Sequence, residues 1–144
     1  GRRQDPVWST GRQRVMRTLT IILPIPFPEL WPNARPHFHA KARATKRYRK
    51  LSHLVALSEG NRERWGEPAK AVTIRATFFL PCRKRDPDNC IAALKAAFDG
   101  LADAKIIAND RDLTILPPLV RPRSDWRKNT SVLNPCVCLE VTEE

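Results

Sequence analysis

The sequence predicts a single small domain of the α/β (α+β) class, with a mixed β-sheet flanked by two main helices. Its 144 residues are enough for one domain with its own core, and its 42% hydrophobic content is ordinary for a globular fold. Strand-like and helix-like segments follow one another in the order β–α–β–α–β–β, without internal repeats.

The N-terminal part of the chain predicts an arm, a strand and a loop. Residues 1–15 carry several arginines without apolar periodicity, which predicts a flexible basic arm before a domain at 16–144. Residues 17–23 are rich in β-branched side chains and predict the first strand. Prolines then exclude regular structure to about residue 40, and such a long loop is more often functional than filler. These prolines are Pro24, Pro26, Pro28, Pro32 and Pro36.

The first helix is predicted over 45–59, where apolar residues recur at helical spacing and Gly60 offers a stop. Cations without any acid surround its start: Lys41, Arg43, Lys46, Arg47, Arg49 and Lys50. A charge run is usually a solvated helix face. This run has one sign and follows the proline-rich loop, which favours contact with phosphates.

The second half of the chain predicts three strands and one helix. Residues 70–80 predict the second strand, and 113–120 and 134–142 predict two more. The helix is predicted over 88–103, because Ile91, Leu94, Phe98 and Leu101 form an apolar face and Asp88 is a suitable N-cap.

The charge of the chain points to a polyanionic partner. There are 26 Lys and Arg against 15 Asp and Glu, a net charge of +11. Nucleic acid is the leading partner, and an anionic membrane surface is second. No run approaches the ~18 apolar residues of a membrane span, and no strongly amphipathic basic helix is visible, so no membrane partner is expected.

The four cysteines do not suggest a disulfide framework. Cys136 and Cys138 are two residues apart, so on a strand they share one face, and buried thiols are the simplest interpretation. A zinc site is less favoured because paired C-x-x-C spacing is missing. With no visible signal peptide, the pattern predicts a reduced, cytoplasmic protein.

Acidic residues gather in one short region of this basic chain. On a helix Asp88, Lys95 and Asp99 fall on one stripe within about 40°. Asp86 precedes the helix, and Asp110 joins if residues 106–108 pack as an extended segment beside the helix start. Clustered carboxylates repel one another unless a cation such as Mg²⁺ lies between them. The alternative is that the acids are turn and cap residues, with Lys95 and Asp99 as a surface ion pair.

The same residues resemble a known family. Residues 85–89 read Arg-Asp-Pro-Asp-Asn, 94–101 read Leu-Lys-Ala-Ala-Phe-Asp-Gly-Leu, and an acidic turn follows at 109–110. This is similar to the D-x-D-N…K-x-x-x-D-x-L…D-D pattern of the RusA family of Holliday-junction resolvases, over roughly 17–142. Two departures are present. Lys95 lies six residues after Asn89, where three is usual, and Asn109-Asp110 replaces two aspartates.

The resemblance implies a RusA-like nuclease domain and a Mg²⁺-dependent endodeoxyribonuclease, with Mn²⁺ as a substitute. It would resolve four-way DNA junctions as a homodimer, in a bacterial or phage setting. Asp86, Asp88 and Asp110 would bind the metal, and Lys95 would be the essential basic residue. The run from Lys41 to Lys50, together with Lys84, Arg85, Arg127 and Lys128, would then hold the junction arms. The alternatives are a non-catalytic basic nucleic-acid-binding protein and a nuclease for other branched DNA.

Overall fold

The structure is a computed structural model that describes residues 17–80, 86–109, 111–122 and 136–144. The predicted arm at 1–15 lies outside these residues. The elements in chain order are β1 (Thr18–Pro24), a 3-10 helix (Pro28–Leu30), α1 (Phe38–Arg62), β2 (Val72–Leu80), α2 (Pro87–Ala93), α3 (Lys95–Asp103), β3 (Leu113–Ile115), β4 (Leu119–Pro122) and β5 (Cys136–Glu143). The predicted fold class, a single small α/β domain with a mixed sheet, is confirmed.

The sheet places β5 between β1 and β2, with β3 and β4 on the other side of β2. β5 is antiparallel to both neighbours, so that Leu139 lies opposite Ile21 on β1 and Ala76 on β2. β3 and β4 both run parallel to β2. Because β2 is the longest strand and pairs on both sides, it connects the two halves of the sheet.

The predicted strand over 113–120 is interrupted in its middle. Ile115 pairs with Ile74 and Leu119 pairs with Thr77, so three residues of the edge lie opposite two residues of β2. Such an extra residue is a β-bulge. Its cause is the pair Pro117 and Pro118, which have no backbone N–H to continue the ladder.

The core lies between one face of the sheet and helices α1 and α3. Alternate residues of the strands are fully buried, among them Ile21 on β1, Ile74 on β2 and Leu139 on β5. Tyr48 of α1 is also buried, and its hydroxyl donates to the carbonyl oxygen of Pro24 at 2.6 Å. Burial raises the pKa of the Tyr48 phenol. This contact fixes α1 against the end of β1.

Helix α1 is longer than predicted at both ends. It begins at Phe38 because Pro36 precedes its N-cap, His37, whose Nδ1 accepts a hydrogen bond from the N–H of His39 at 3.2 Å. The predicted stop at Gly60 is wrong, since that residue lies inside the helix. A Cβ there would come within 2.8 Å of the Ile106 Cδ1 atom. Gly60 therefore serves close packing rather than termination.

Candidate functional site

The first turn of α2 carries two of the predicted acids. Asp86 is the N-cap, and its Oδ1 accepts a hydrogen bond from the N–H of Asp88 at 2.9 Å. Asp88 was predicted as the N-cap, and that prediction is wrong. Pro87 takes the first helical position, where its fixed φ suits a helix and its missing N–H costs nothing. Both carboxylates are exposed at a helix start, where free N–H groups favour negative charge.

The predicted helix over 88–103 is two helices, because the chain turns at Leu94. This residue has φ −93° and ψ 1°, outside the helical region, and its N–H bonds to the carbonyl of Ile91 at 3.0 Å. Its side chain is fully buried. The turn therefore places Lys95 at the first position of α3, directly after a residue that is anchored in the core.

Two cavities flank α2 and share Ala92 as a common wall. The first, of about 480 Å³, lies between the start of α2 and the bulge, and is lined by Pro87, Asp88, Ile91, Ala92 and residues 115–118. The second, of about 210 Å³, lies between α1 and the α2–α3 turn, and is lined by Leu30, Lys41, Thr45, Ala92, Ala93, Lys95, Ala96 and Asp99. Asp88 and Lys95 thus open onto neighbouring spaces despite the turn at Leu94.

Asp110 lies outside the described residues, but its neighbours are placed. The N–H of Arg111 donates to Asn109 Oδ1 at 2.8 Å, and Leu113 pairs with Val72 at the start of β2. Asp110 was expected to join Asp86 and Asp88 only if residues 106–108 pack as an extended segment beside the start of α2. These residues follow the end of α3, where Ile106 is buried and its carbonyl accepts a hydrogen bond from Trp65 Nε1 at 2.8 Å. Ile107 forms a parallel bridge with Ala69.

The acids do not form a complete metal site within the described residues. No group of three His, Cys, Asp or Glu side chains suited to a metal ion occurs in the part of the chain that the structure describes. Asp86 has one oxygen engaged as a cap, which leaves its second oxygen as a donor beside Asp88. Mg²⁺ in proteins is commonly held by one or two carboxylates plus waters. The donor chemistry of Asp86 and Asp88 therefore fits Mg²⁺.

The predicted basic run lies on α1 and just inside its start, and all six cations are exposed. Two of them contact other elements. Arg49 makes two hydrogen bonds to Asp103 at 2.7 and 2.9 Å, which lower the pKa of that carboxyl. The Arg47 guanidinium lies 5.0 Å from the centroid of the Phe27 ring. Lys84, Arg85, Arg127 and Lys128 lie outside the described residues.

Two thiols lie on the face of β5 opposite the helices. Cys136 is buried and Cys138 half-buried, and burial raises the pKa of each to about 11. A thiol that stays protonated at neutral pH is a poor metal ligand. The prediction that Cys136 and Cys138 share one face of the strand is confirmed. Val137, Leu139 and Val141 lie on the opposite face of β5, which packs against the main core.

Thr45 and Leu30 are the parts of the site that the sequence did not indicate. They line the second cavity from α1 and from the 3-10 helix, respectively. Lys41 was predicted only as one of a run of cations. No local sequence pattern predicts that these residues share a cavity with Lys95, because the cavity forms only where α1 packs on α3.

No family model matches this sequence. An uncharacterized protein of Xylella fastidiosa is 31% identical over 104 residues, which cover 69% of this chain and 65% of the relative. The match therefore spans a little under two thirds of the relative's own length. Across the described ranges, every helix is too short or too polar to cross a lipid bilayer.

Proposed function

We propose that the chain is a Mg²⁺-dependent endodeoxyribonuclease of the RusA type that cuts branched DNA at four-way junctions. The observation that carries the proposal is the arrangement around α2. Asp86 caps α2 and Asp88 lies in its first turn, while Lys95 and Lys41 line the cavity that adjoins the one lined by Asp88. Acids for a metal and lysines for a phosphate thus line two cavities that share Ala92 as a wall.

Each group has a distinct task in this proposal. The exposed cations of α1 hold the phosphate backbone, which fixes the DNA without reading its sequence. Asp86 and Asp88 would hold Mg²⁺ or Mn²⁺, with Asp110 as the third carboxylate that the sequence pattern supplies. The metal, when bound, supplies Lewis-acid activation of the phosphodiester and of a water. Lys95 stabilises negative charge that develops on the phosphate oxygens.

A homodimer is part of the proposal. A four-way junction is resolved by paired, symmetric cuts, and a two-fold dimer supplies two equivalent sites for them. Cys90, Cys136 and Cys138 are free thiols, which supports a reducing, cytoplasmic location.

The test is cleavage of a labelled four-way junction and a matching linear duplex, with Mg²⁺ or with EDTA. We expect paired nicks in the junction only, and only with Mg²⁺. Asp88→Asn should lower the cleavage rate by about three orders of magnitude, or ~4 kcal/mol of transition-state stabilisation. Junction binding should persist, because the variant removes a negative charge from a basic protein.

The matched control is Asp112→Asn, which makes the same change at an exposed acid beside the start of β3. It should cleave like the wild type. Full cleavage by Asp88→Asn would contradict the assignment of Asp88 as a metal ligand. Tight binding without any divalent-dependent product would leave a non-catalytic nucleic-acid-binding protein. Cleavage of flaps or forks in preference to junctions would keep the chemistry and change the substrate.

A further inference from the structure

The cavity of about 210 Å³ between α1 and α3 is lined by charged, polar and small apolar side chains. Two lysines reach it from different helices, Lys41 from α1 and Lys95 from α3. Alanines at 92, 93 and 96 also line it, and their small side chains leave space between the helices. The cavity thus has two cations in its lining and an apolar part that cannot neutralise them.

Two further polar side chains, Thr45 and Asp99, line the same cavity. The Thr45 hydroxyl donates to the carbonyl oxygen of Lys41 at 2.8 Å, so its proton is engaged in the helix. Asp99 lines the same cavity one turn beyond Lys95 and is partly buried. One carboxylate against two lysines leaves a net positive charge, and ammonium groups are then the donors that face the space.

We propose that this cavity binds one phosphate group of the DNA substrate, and that Lys41 and Lys95 bind it together. Two ammonium groups supply the charge and the donors that a phosphodiester oxygen needs. The inference rests on the proposed function and deepens it. Lys41 is assigned to the reaction site itself, because its cavity adjoins at Ala92 the cavity that Asp88 lines. The other cations of α1 would hold the DNA at a distance from the reaction.

Asp99 is the acid that lines this cavity. Its single charge does not balance two lysines, and a bound phosphate completes the neutralisation. A purely structural ion-pair cluster would need no ligand and would be insensitive to phosphate.

The experiment compares Lys41→Ala with Lys50→Ala in the full chain. Lys50 is an exposed lysine of the same helix that does not line this cavity, so the two variants change charge and helix composition equally. The first readout is the single-turnover rate of junction cleavage, with junction affinity measured in parallel. We expect Lys41→Ala to lower the rate about 100-fold, the usual effect of losing one transition-state donor, and Lys50→Ala to change affinity only.

The second readout does not depend on cleavage. Inorganic phosphate is titrated into ¹⁵N-labelled protein while the amide signals of Thr45 and Ala96 are followed. We expect saturable shifts in the wild type and in Lys50→Ala, and at least about tenfold weaker binding in Lys41→Ala. Circular dichroism checks that each variant is folded.

The two readouts separate the two proposals. A wild type that cuts junctions, with Lys41→Ala equal to Lys50→Ala in both rate and phosphate shifts, overturns this inference and leaves the proposed function intact. A wild type that cuts nothing overturns the proposed function. In that case the phosphate titration alone decides whether the cavity is an anion site.

Discussion

Asp86 accepts a hydrogen bond from the backbone N–H of Asp88 at 2.9 Å, so one of the two candidate metal ligands caps the helix that carries the other. Under the proposed function, Asp86 would therefore combine a role in helix stability with a role in metal binding. An aspartate at an N-cap is in itself ordinary. The second acid in the same turn, which lines the cavity adjoining that of Lys95, is what favours a functional interpretation.

Two substitutions of Asp86 should separate these roles. Asparagine caps helices about as well as aspartate, whereas alanine costs roughly 1 kcal/mol of stability. We expect Asp86→Asn to keep the wild-type free energy of unfolding and Asp86→Ala to lose about 1 kcal/mol in urea denaturation. Both should lose metal-dependent cleavage. Wild-type cleavage by Asp86→Asn would show that this carboxylate caps the helix and nothing more.

The contact between α1 and α3 predicts a strong effect at Gly100. A Cβ at this position would come within 2.6 Å of the Arg49 carbonyl oxygen and 2.7 Å of Ser52 Cβ. Gly100→Ala should gain up to ~1 kcal/mol in helix propensity and still be destabilised by about 1–3 kcal/mol, because the helices must separate.

Gly60→Ala is the matched comparison for Gly100→Ala. It would meet the flexible end of the Ile106 side chain at 2.8 Å rather than backbone, and should cost less in the same denaturation experiment. Equal costs for the two variants would contradict the close approach at Gly100.

Stability should fall at alkaline pH because of the thiols on β5. Burial raises the pKa of Cys136 and Cys138 to about 11, against about 8.5 for an exposed thiol. The folded state therefore keeps these protons longer than the unfolded state. The stabilisation is complete below pH ~8.5 and is lost as pH rises towards 11. A Cys136→Ala/Cys138→Ala variant should show a flatter decline of unfolding free energy over this range, and an identical decline would refute the assignment.

The cations of α1 should differ in their effect on DNA binding. Arg49 is tied to Asp103, whereas Lys46 is exposed and makes no ion pair within the described residues. Lys46→Ala should reduce the slope of log binding constant against log salt by about one, as loss of a phosphate contact does. Arg49→Ala should change the slope less and lower stability slightly. Fluorescence anisotropy at several salt concentrations measures both, and a larger slope change for Arg49→Ala would reverse the assignment.

The elements that local patterns control were predicted well. β1, β2 and β5 were predicted within two residues of their observed starts and ends, because strand-favouring β-branched and apolar side chains are concentrated in these segments. The failures share one physical reason, which is that tertiary contacts decided the outcome. Leu94 has a strong helical preference, yet the chain turns there while its side chain stays buried in the core.

The candidate site was only partly predictable for the same reason. The sequence alone indicated Asp86, Asp88 and Lys95 as candidate site residues, because they lie in one short segment. The role of His37 as a cap and the cavity that Lys41 shares with Lys95 depend on where α1 begins and how it packs. The position of residues 106–108 stayed open, because a sequence does not show which neighbour a buried segment will pack against.

The bulge at Pro117 and Pro118 has a consequence for solubility at high concentration. An uninterrupted outer strand would offer a row of N–H and C=O groups that a strand of another molecule can extend, which is a common route to aggregation. Within the described residues, the strand beyond β2 on this side is divided into pieces of three and four residues, and the junction between them has no N–H at two successive positions. The same prolines that form a wall beside Asp88 therefore interrupt the row of N–H groups along this margin and disfavour its extension by a strand of another molecule.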